Sequence, residues 1–146
     1  MPTVRSRAWS RRGGYKVRVG RSELSGRGLF ATDEIRRGEK ICEYSGRVVH
    51  EDKAPHNRYL LHVTGKFVID GSPLTNLGRW ANHSCKPNAK YYTYAARAYL
   101  QALRRIDEGE EVTCDYGKEY RDAFLKECLC PVCKRKLQKR RMTNGK

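Results

Sequence analysis

From Tyr15 onward the chain alternates short runs of β-formers with turn residues, and no long stretch keeps a helical period. Residues 15–19, 40–44, 59–63, 67–70, 98–103 and 111–114 read as strands. Gly38, Gly46, Gly65, Gly71 and Gly109 punctuate them. The best helix is 119–127, where Tyr120, Phe124 and Leu125 fall on one side. The first 14 residues are rich in Arg, Ser and Gly and read as a flexible basic arm. No internal repeat stands out. The pattern predicts a mostly-β domain of short sheets with few short helices.

A length of 146 residues fits one domain. Such a chain buries about two-thirds of its unfolded surface, enough for a core. No apolar run approaches the ~18 residues of a membrane helix. No signal-like apolar segment opens the chain, so an intracellular protein with no membrane partner is expected. The net charge of +15 is unevenly spread. Residues 1–21 carry seven Arg or Lys and no acid, and so do residues 134–146, leaving the middle nearly neutral. Basic ends of this kind attract polyanions through counterion release, a sequence-independent contact. Lys134-Arg135-Lys136 and Lys139-Arg140-Arg141 have the look of a nuclear-import signal, and a solubilising tail explains them equally well.

Four segments carry candidate chemistry. They are Gly26-Arg27-Gly28, the run Arg79-Trp80-Ala81-Asn82-His83-Ser84-Cys85-Lys86-Pro87-Asn88, Asp115-Tyr116-Gly117, and Cys128-x-Cys130-x2-Cys133. Taken singly, each has an ordinary reading. Gly-x-Gly makes a turn, Asn82 caps a short helix, His83 is a satisfied structural histidine, and Tyr116 is one of nine tyrosines. Six Cys without a secretion signal point to reduced thiols rather than disulfides.

In this order, spanning about residues 15–133, the four segments resemble the SET-domain protein-lysine methyltransferases. The resemblance implies a SET fold of several short sheets, with the C-terminal segment passing beneath an earlier loop as a pseudoknot. It implies a SET domain over 15–117, a post-SET zinc-binding segment over 118–133 and a basic tail over 134–146. By the same resemblance, Gly26, Arg27, Gly28, Asn82 and His83 would bind S-adenosylmethionine, with Tyr116 and Tyr44 catalytic. Tyr44, Tyr91 and Cys114 would line the lysine channel. Cys85, Cys128, Cys130 and Cys133 would hold a structural zinc in a closed tetrahedral site. Cys42 and Cys114 are left over as packed thiols, and His50, His56 and His62 read as surface residues.

Some positions depart from the family pattern. Trp80 stands where Phe is commoner, and Cys114 where many members carry Phe or Tyr. The final cysteines are spaced x2 rather than the commoner x4. The expected function is protein-lysine methylation, with a histone tail as favoured substrate and the nucleus or chromatin as location in a eukaryotic or viral setting, otherwise the cytoplasm. Asp107, Glu108, Glu110 and Glu111 are the acids expected to offset repulsion between a basic enzyme and a basic tail. Two alternatives stand beside this one: a zinc-stapled nucleic-acid- or chromatin-binding module without catalysis, and a methyltransferase of a non-histone protein.

Overall fold

Ten short strands organise the part of the chain that the computed structural model describes, residues 15–118, 120, 130, 132–135, 138 and 139. The expected helix over 119–127 apart from Tyr120, the arm over 1–14, Cys128 and most of the 134–146 tail therefore fall outside the described residues. The strands are β1 (Val17–Arg21), β2 (Arg27–Ala31), β3 (Lys40–Tyr44), β4 (Arg47–His50), β5 (Leu60–Thr64), β6 (Phe67–Asp70), β7 (Asn82–His83), β8 (Ala89–Tyr94), β9 (Arg97–Ala102) and β10 (Glu111–Cys114). The larger sheet runs β1–β2–β10–β8–β9–β3, with β7 added parallel to β10, and a smaller one runs β4–β6–β5. The mostly-β reading therefore holds. No helix among the described residues is long and apolar enough to cross a membrane.

Strand alternation sets the faces. In β9, Ala98, Leu100 and Ala102 are buried, while Arg97, Tyr99 and Gln101 point the other way. The β8–β9 hairpin turns through Ala95 and Ala96, both at positive φ (51° and 59°). Tight hairpins need that geometry, yet Asn-Gly is its usual sequence mark. The turn therefore left no readable signal, and β8 escaped the strand reading with it.

The structure corrects the expectation that the chain has no repeat. Ala31-x3-Ile35-x2-Gly38-Glu39-x-Ile41 recurs as Ala102-x3-Ile106-x2-Gly109-Glu110-x-Val112. The two copies clasp each other about a local two-fold. Ile35 and Ile106 exchange both backbone hydrogen bonds at 2.8 Å. Gly38 N–H donates to Ala102 O and Gly109 N–H to Ala31 O, each at 2.8 Å. Both glycines sit at positive φ (84° and 86°), where a side chain would be strained. The matching positions are those the core or the turn dictates; the solvated ones between them diverged. Ile35, Ile106, Ile41 and Val112 then join Leu29 and Leu100 as fully buried core.

The acids of 107–111 are mostly engaged within the fold. Glu110 pairs with Arg104, which holds its carboxyl below the usual range, and Asp107 pairs with Arg105 at 3.1 Å. Glu111 turns inward to Ser22 and Asn82. These three carboxylates are thus already partnered within the fold.

Candidate active site

A cleft of about 720 Å³ opens between β5, the 3-10 turn Leu77–Trp80, β7 and residues 115–118. It gathers Gly26, Arg27, Tyr44, Asn82, Tyr91 and Tyr116, which are widely separated in sequence.

Three phenols, Tyr44 buried and Tyr91 and Tyr116 half-buried, form its apolar end. Tyr44 O–H donates to Tyr59 O at 2.6 Å, Tyr91 O–H to Gly78 O at 2.7 Å, and Tyr116 O–H to Ala81 O. The Tyr44 and Tyr91 rings meet edge to face at 5.3 Å. Gly71 and Gly78 seat Tyr44, since a Cβ at Gly71 would lie 2.3 Å from its ring. Burial raises the pKa of all three phenols well above the ordinary tyrosine value. Each therefore stays protonated at neutral pH, with its one proton committed to a backbone carbonyl. Toward the cleft Tyr44 and Tyr116 can only accept. Cys114 is fully buried behind them and does not line the cleft; burial pushes its thiol up to about 12.

The polar end is built around Asn82. Its amide nitrogen donates to Arg27 O at 2.9 Å and lies 2.8 Å from Glu111 Oε2, while Ser22 Oγ donates to the same carboxylate at 2.8 Å. A Cβ at Gly28 would sit 2.3 Å from Glu111 Oε2. Gly28 is thus required by this internal network, whereas Gly26, at φ +39°, is the glycine that borders the cleft. Arg79 stacks over Tyr59 at 4.1 Å and Trp80 at 4.7 Å. Its Nε and Nη1 are buried with no hydrogen-bond partner among the described residues, an arrangement suited to an anionic or carbonyl ligand in the cleft. Asn76, rather than Asn82, caps the 3-10 turn, and Asn88 latches β10 through Thr113 N at 2.9 Å and Glu111 O at 2.8 Å.

Behind this end lie the thiols. Sγ atoms of Cys85, Cys130 and Cys133 lie within 4.8 Å of one another, and Cys85 and Cys133 are 3.6 Å apart. Tetrahedral zinc with ~2.3 Å bonds spaces its sulfurs about 3.8 Å apart, so the three fit. Cys128, the fourth expected ligand, lies outside the described residues. His83 is buried and turns its ring from the cleft toward this cluster. Its Nδ1 accepts Tyr116 N–H at 3.0 Å, which puts the ring proton on Nε2, 3.5 Å from Cys85 Sγ. Asp115 Oδ1, 3.6 Å from the same Nδ1, is the looser neighbour. The imidazole thus ties the thiol cluster to the backbone of Tyr116.

Sequence reasoning missed Glu111 as a brace, along with Ser22, Asn76 and the unpartnered Arg79. Nothing in a single sequence marks a carboxylate as inward-facing, although Arg79 was visible at the edge of the Asn-His motif.

The SET domain family model matches residues 26–117. The chain is 29% identical over 143 residues to the histone-lysine N-methyltransferase mes-4 of Caenorhabditis elegans, covering 79% of this chain and 16% of the relative. It is 34% identical over 139 residues to histone-lysine N-methyltransferase ASHH3 of Arabidopsis thaliana, covering 84% and 38%. Its fold is similar to a chain of a humanized mutant of the Chaetomium thermophilum Polycomb Repressive Complex 2 bound to the inhibitor GSK126. That match has a TM-score of 0.65 and 32% identity, over 73% of this chain and 15% of that one. The chain therefore spans well under half the length of these relatives. With the family model covering most of the strands and the phenol cleft they build, this chain belongs to the SET-domain family.

Proposed function

We propose that the chain transfers a methyl group from S-adenosylmethionine to the side-chain amine of a protein lysine, with a histone tail as the favoured substrate. The observation that carries this reading is the pair of phenols, buried Tyr44 and half-buried Tyr116, whose protons are committed to Tyr59 O and Ala81 O. Their oxygens can only accept from a ligand, which makes the apolar end a receptor for an N–H donor.

S-adenosylmethionine supplies, when bound, a methyl group on a positive sulfonium. Gly26, Arg27, Asn82 and the backbone of His83 would hold it, and the unpartnered Arg79 suits its carboxylate. A free lysine, with a pKa of about 10.4, has no lone pair at neutral pH. Entry between the rings of Tyr44, Tyr91 and Tyr116 removes water from the ammonium and favours loss of its proton. Tyr116 oxygen then accepts an amine N–H and aims the nitrogen lone pair. Because burial raises its pKa, Tyr116 acts as a fixed dipole and not as a base. Alignment of this kind is worth up to ~7–11 kcal/mol in the best model systems.

The peptide route runs along β5. That strand pairs with β6 on one side, and Leu60, Leu61 and His62 line the cleft. An extended segment laid along the other edge gains main-chain hydrogen bonds and brings its lysine to the phenols. Cys85, Cys130, Cys133 and Cys128 would hold a structural zinc, fixing the 118–133 segment beside the 15–117 domain. The names of the relatives support the histone assignment and a chromatin location. The basic ends, 1–14 and 134–146, support proximity to nucleic acid.

The test is transfer of radiolabelled methyl to core histones, nucleosomes and a cell lysate, with Tyr116→Phe beside the parent chain. Label on histones that depends on Tyr116 is expected. Label only on other lysate proteins would replace the substrate, and no label from folded, zinc-loaded protein would overturn the enzymatic reading in favour of a binding module.

A further inference from the structure

The β8–β9–β3 sheet has a second face that the cleft does not use. Register pairs Lys90 with Gln101 and Lys40, Tyr92 with Tyr99 and Glu43, and Tyr94 with Arg97. Directly paired residues point to the same side, so these side chains form one surface opposite buried Ala98, Leu100 and Ala102. Tyr92 and Tyr99 stack across the strands at 5.4 Å and 27°. Lys40 Nζ lies 3.9 Å from the centre of the Tyr99 ring, and Arg97 lies 5.5 Å away while held by Glu43 at 2.9 Å. Tyr94 is 76% exposed beside them. Lys40, Lys90 and Arg97 share this face with three tyrosines and Glu43; Arg97 offsets Glu43, so among these residues a net excess of two cations remains.

We propose that this face binds single-stranded nucleic acid, with bases stacking on the Tyr92–Tyr94–Tyr99 platform and phosphates meeting Lys40 and Lys90. Unpaired bases present the flat π surfaces that an aromatic platform takes, and a basic surround tracks the backbone. A duplex hides those surfaces, so the platform predicts a preference that charge alone does not supply. The face is separate from the cleft and owes nothing to methyl transfer.

The experiment uses the full chain and a fluorescent oligothymidine, with a duplex of equal length as competitor, at several salt concentrations. The exposed variants Tyr94→Ser and Lys90→Glu leave the core untouched, and circular dichroism checks their folding. The parent chain is expected to prefer the single strand, and the double variant to lose about tenfold in affinity together with that preference. Lys90→Gln should lower the salt slope by about one. Methyl transfer to a short peptide should not change in any variant. Equal affinity of parent and double variant, or a parent that prefers duplex, would overturn the proposal and assign all polyanion binding to the basic ends.

Discussion

Tyr91 and Tyr92 are neighbours in β8 with opposite surroundings. Tyr91 points inward, packs on Tyr44, and donates its proton to Gly78 O. Tyr92 points outward and stacks on Tyr99 in a solvated row of lysines and arginine. The same strand thus places one phenol in a dry channel and the next on a wet platform. A strand's two-residue period makes this possible, and the composition of the partner face decides what each ring becomes. Tyrosine suits both because it is an apolar body with a polar tip.

The strongest way to sharpen the contrast is through turnover. Tyr116→Phe removes the acceptor from the inner face, and turnover should fall about 10²–10³-fold with cofactor affinity preserved. Tyr92→Phe on the outer face should leave turnover unchanged. Single-turnover kinetics beside calorimetry of cofactor binding separates these outcomes, and full activity in Tyr116→Phe would remove its assignment.

Metal removal reaches the inner face from behind, because His83 links Cys85 to the Tyr116 backbone. Stripping the thiol cluster with a chelator should cost about 3 kcal/mol or more, roughly 10 °C in Tm. Reloading zinc should restore both stability and peptide methylation. A melting curve indifferent to chelation, in a protein with no bound zinc by elemental analysis, would mean that the cysteines serve only as packing.

Alkaline pH separates the faces by burial. Inner-face Tyr44, Tyr91, Tyr116 and Cys114 all have pKa values raised by burial. Above its unfolded pKa such a group binds its proton more tightly when folded, so unfolding becomes easier as pH rises. Stability should be level up to about pH 8.5 and then decline. With its thiol at about 12, Cys114 alone accounts for roughly 3 kcal/mol by pH 11. Urea titrations at stepped pH check this; a decline that begins below pH 8 would point to another group.

The smallest difference is a stability pair. Tyr91→Phe leaves Gly78 O with only the longer 3.3 Å bond from Ala81 N–H and should cost about 1 kcal/mol. Tyr92→Phe should cost less than about 0.5 kcal/mol, as surface changes do. Equal losses in denaturant melts would mean that the two faces are not as distinct as their hydrogen bonding indicates.

Much of this was legible before folding was considered. Strands 40–44, 67–70 and 111–114 were read with the bounds that β3, β6 and β10 have, because each is a short apolar run between turn residues. Strands β2, β4, β7 and β8 were missed. Strand β7 has only two residues, too short for a period to show, and β4 has two adjacent valines between Arg47 and His50, with no apolar–polar alternation. In strand β2 the Gly26-Arg27-Gly28 turn hides a strand that already begins at Arg27. The turn after β8 uses two alanines where glycine or asparagine would have announced it. The clasped repeat went unseen because turn and core requirements fix few of its positions.

The sequence by itself determined the chemical inventory: reduced thiols in a spaced cluster, a tyrosine after Asp115, an Asn-His pair and basic ends on a nearly neutral domain. These depend on residue identity and local spacing, which survive without coordinates. Only the tertiary structure decided which oxygens are acceptors, because each phenol's role follows from a carbonyl elsewhere in the chain: Tyr59 for Tyr44, Gly78 for Tyr91, Ala81 for Tyr116. It also decided that Gly28 answers to Glu111 and that His83 faces sulfur rather than the cleft. Those are long-range pairings across strands, and a hydrogen bond's partner is set by register and burial, not by the residue that makes it.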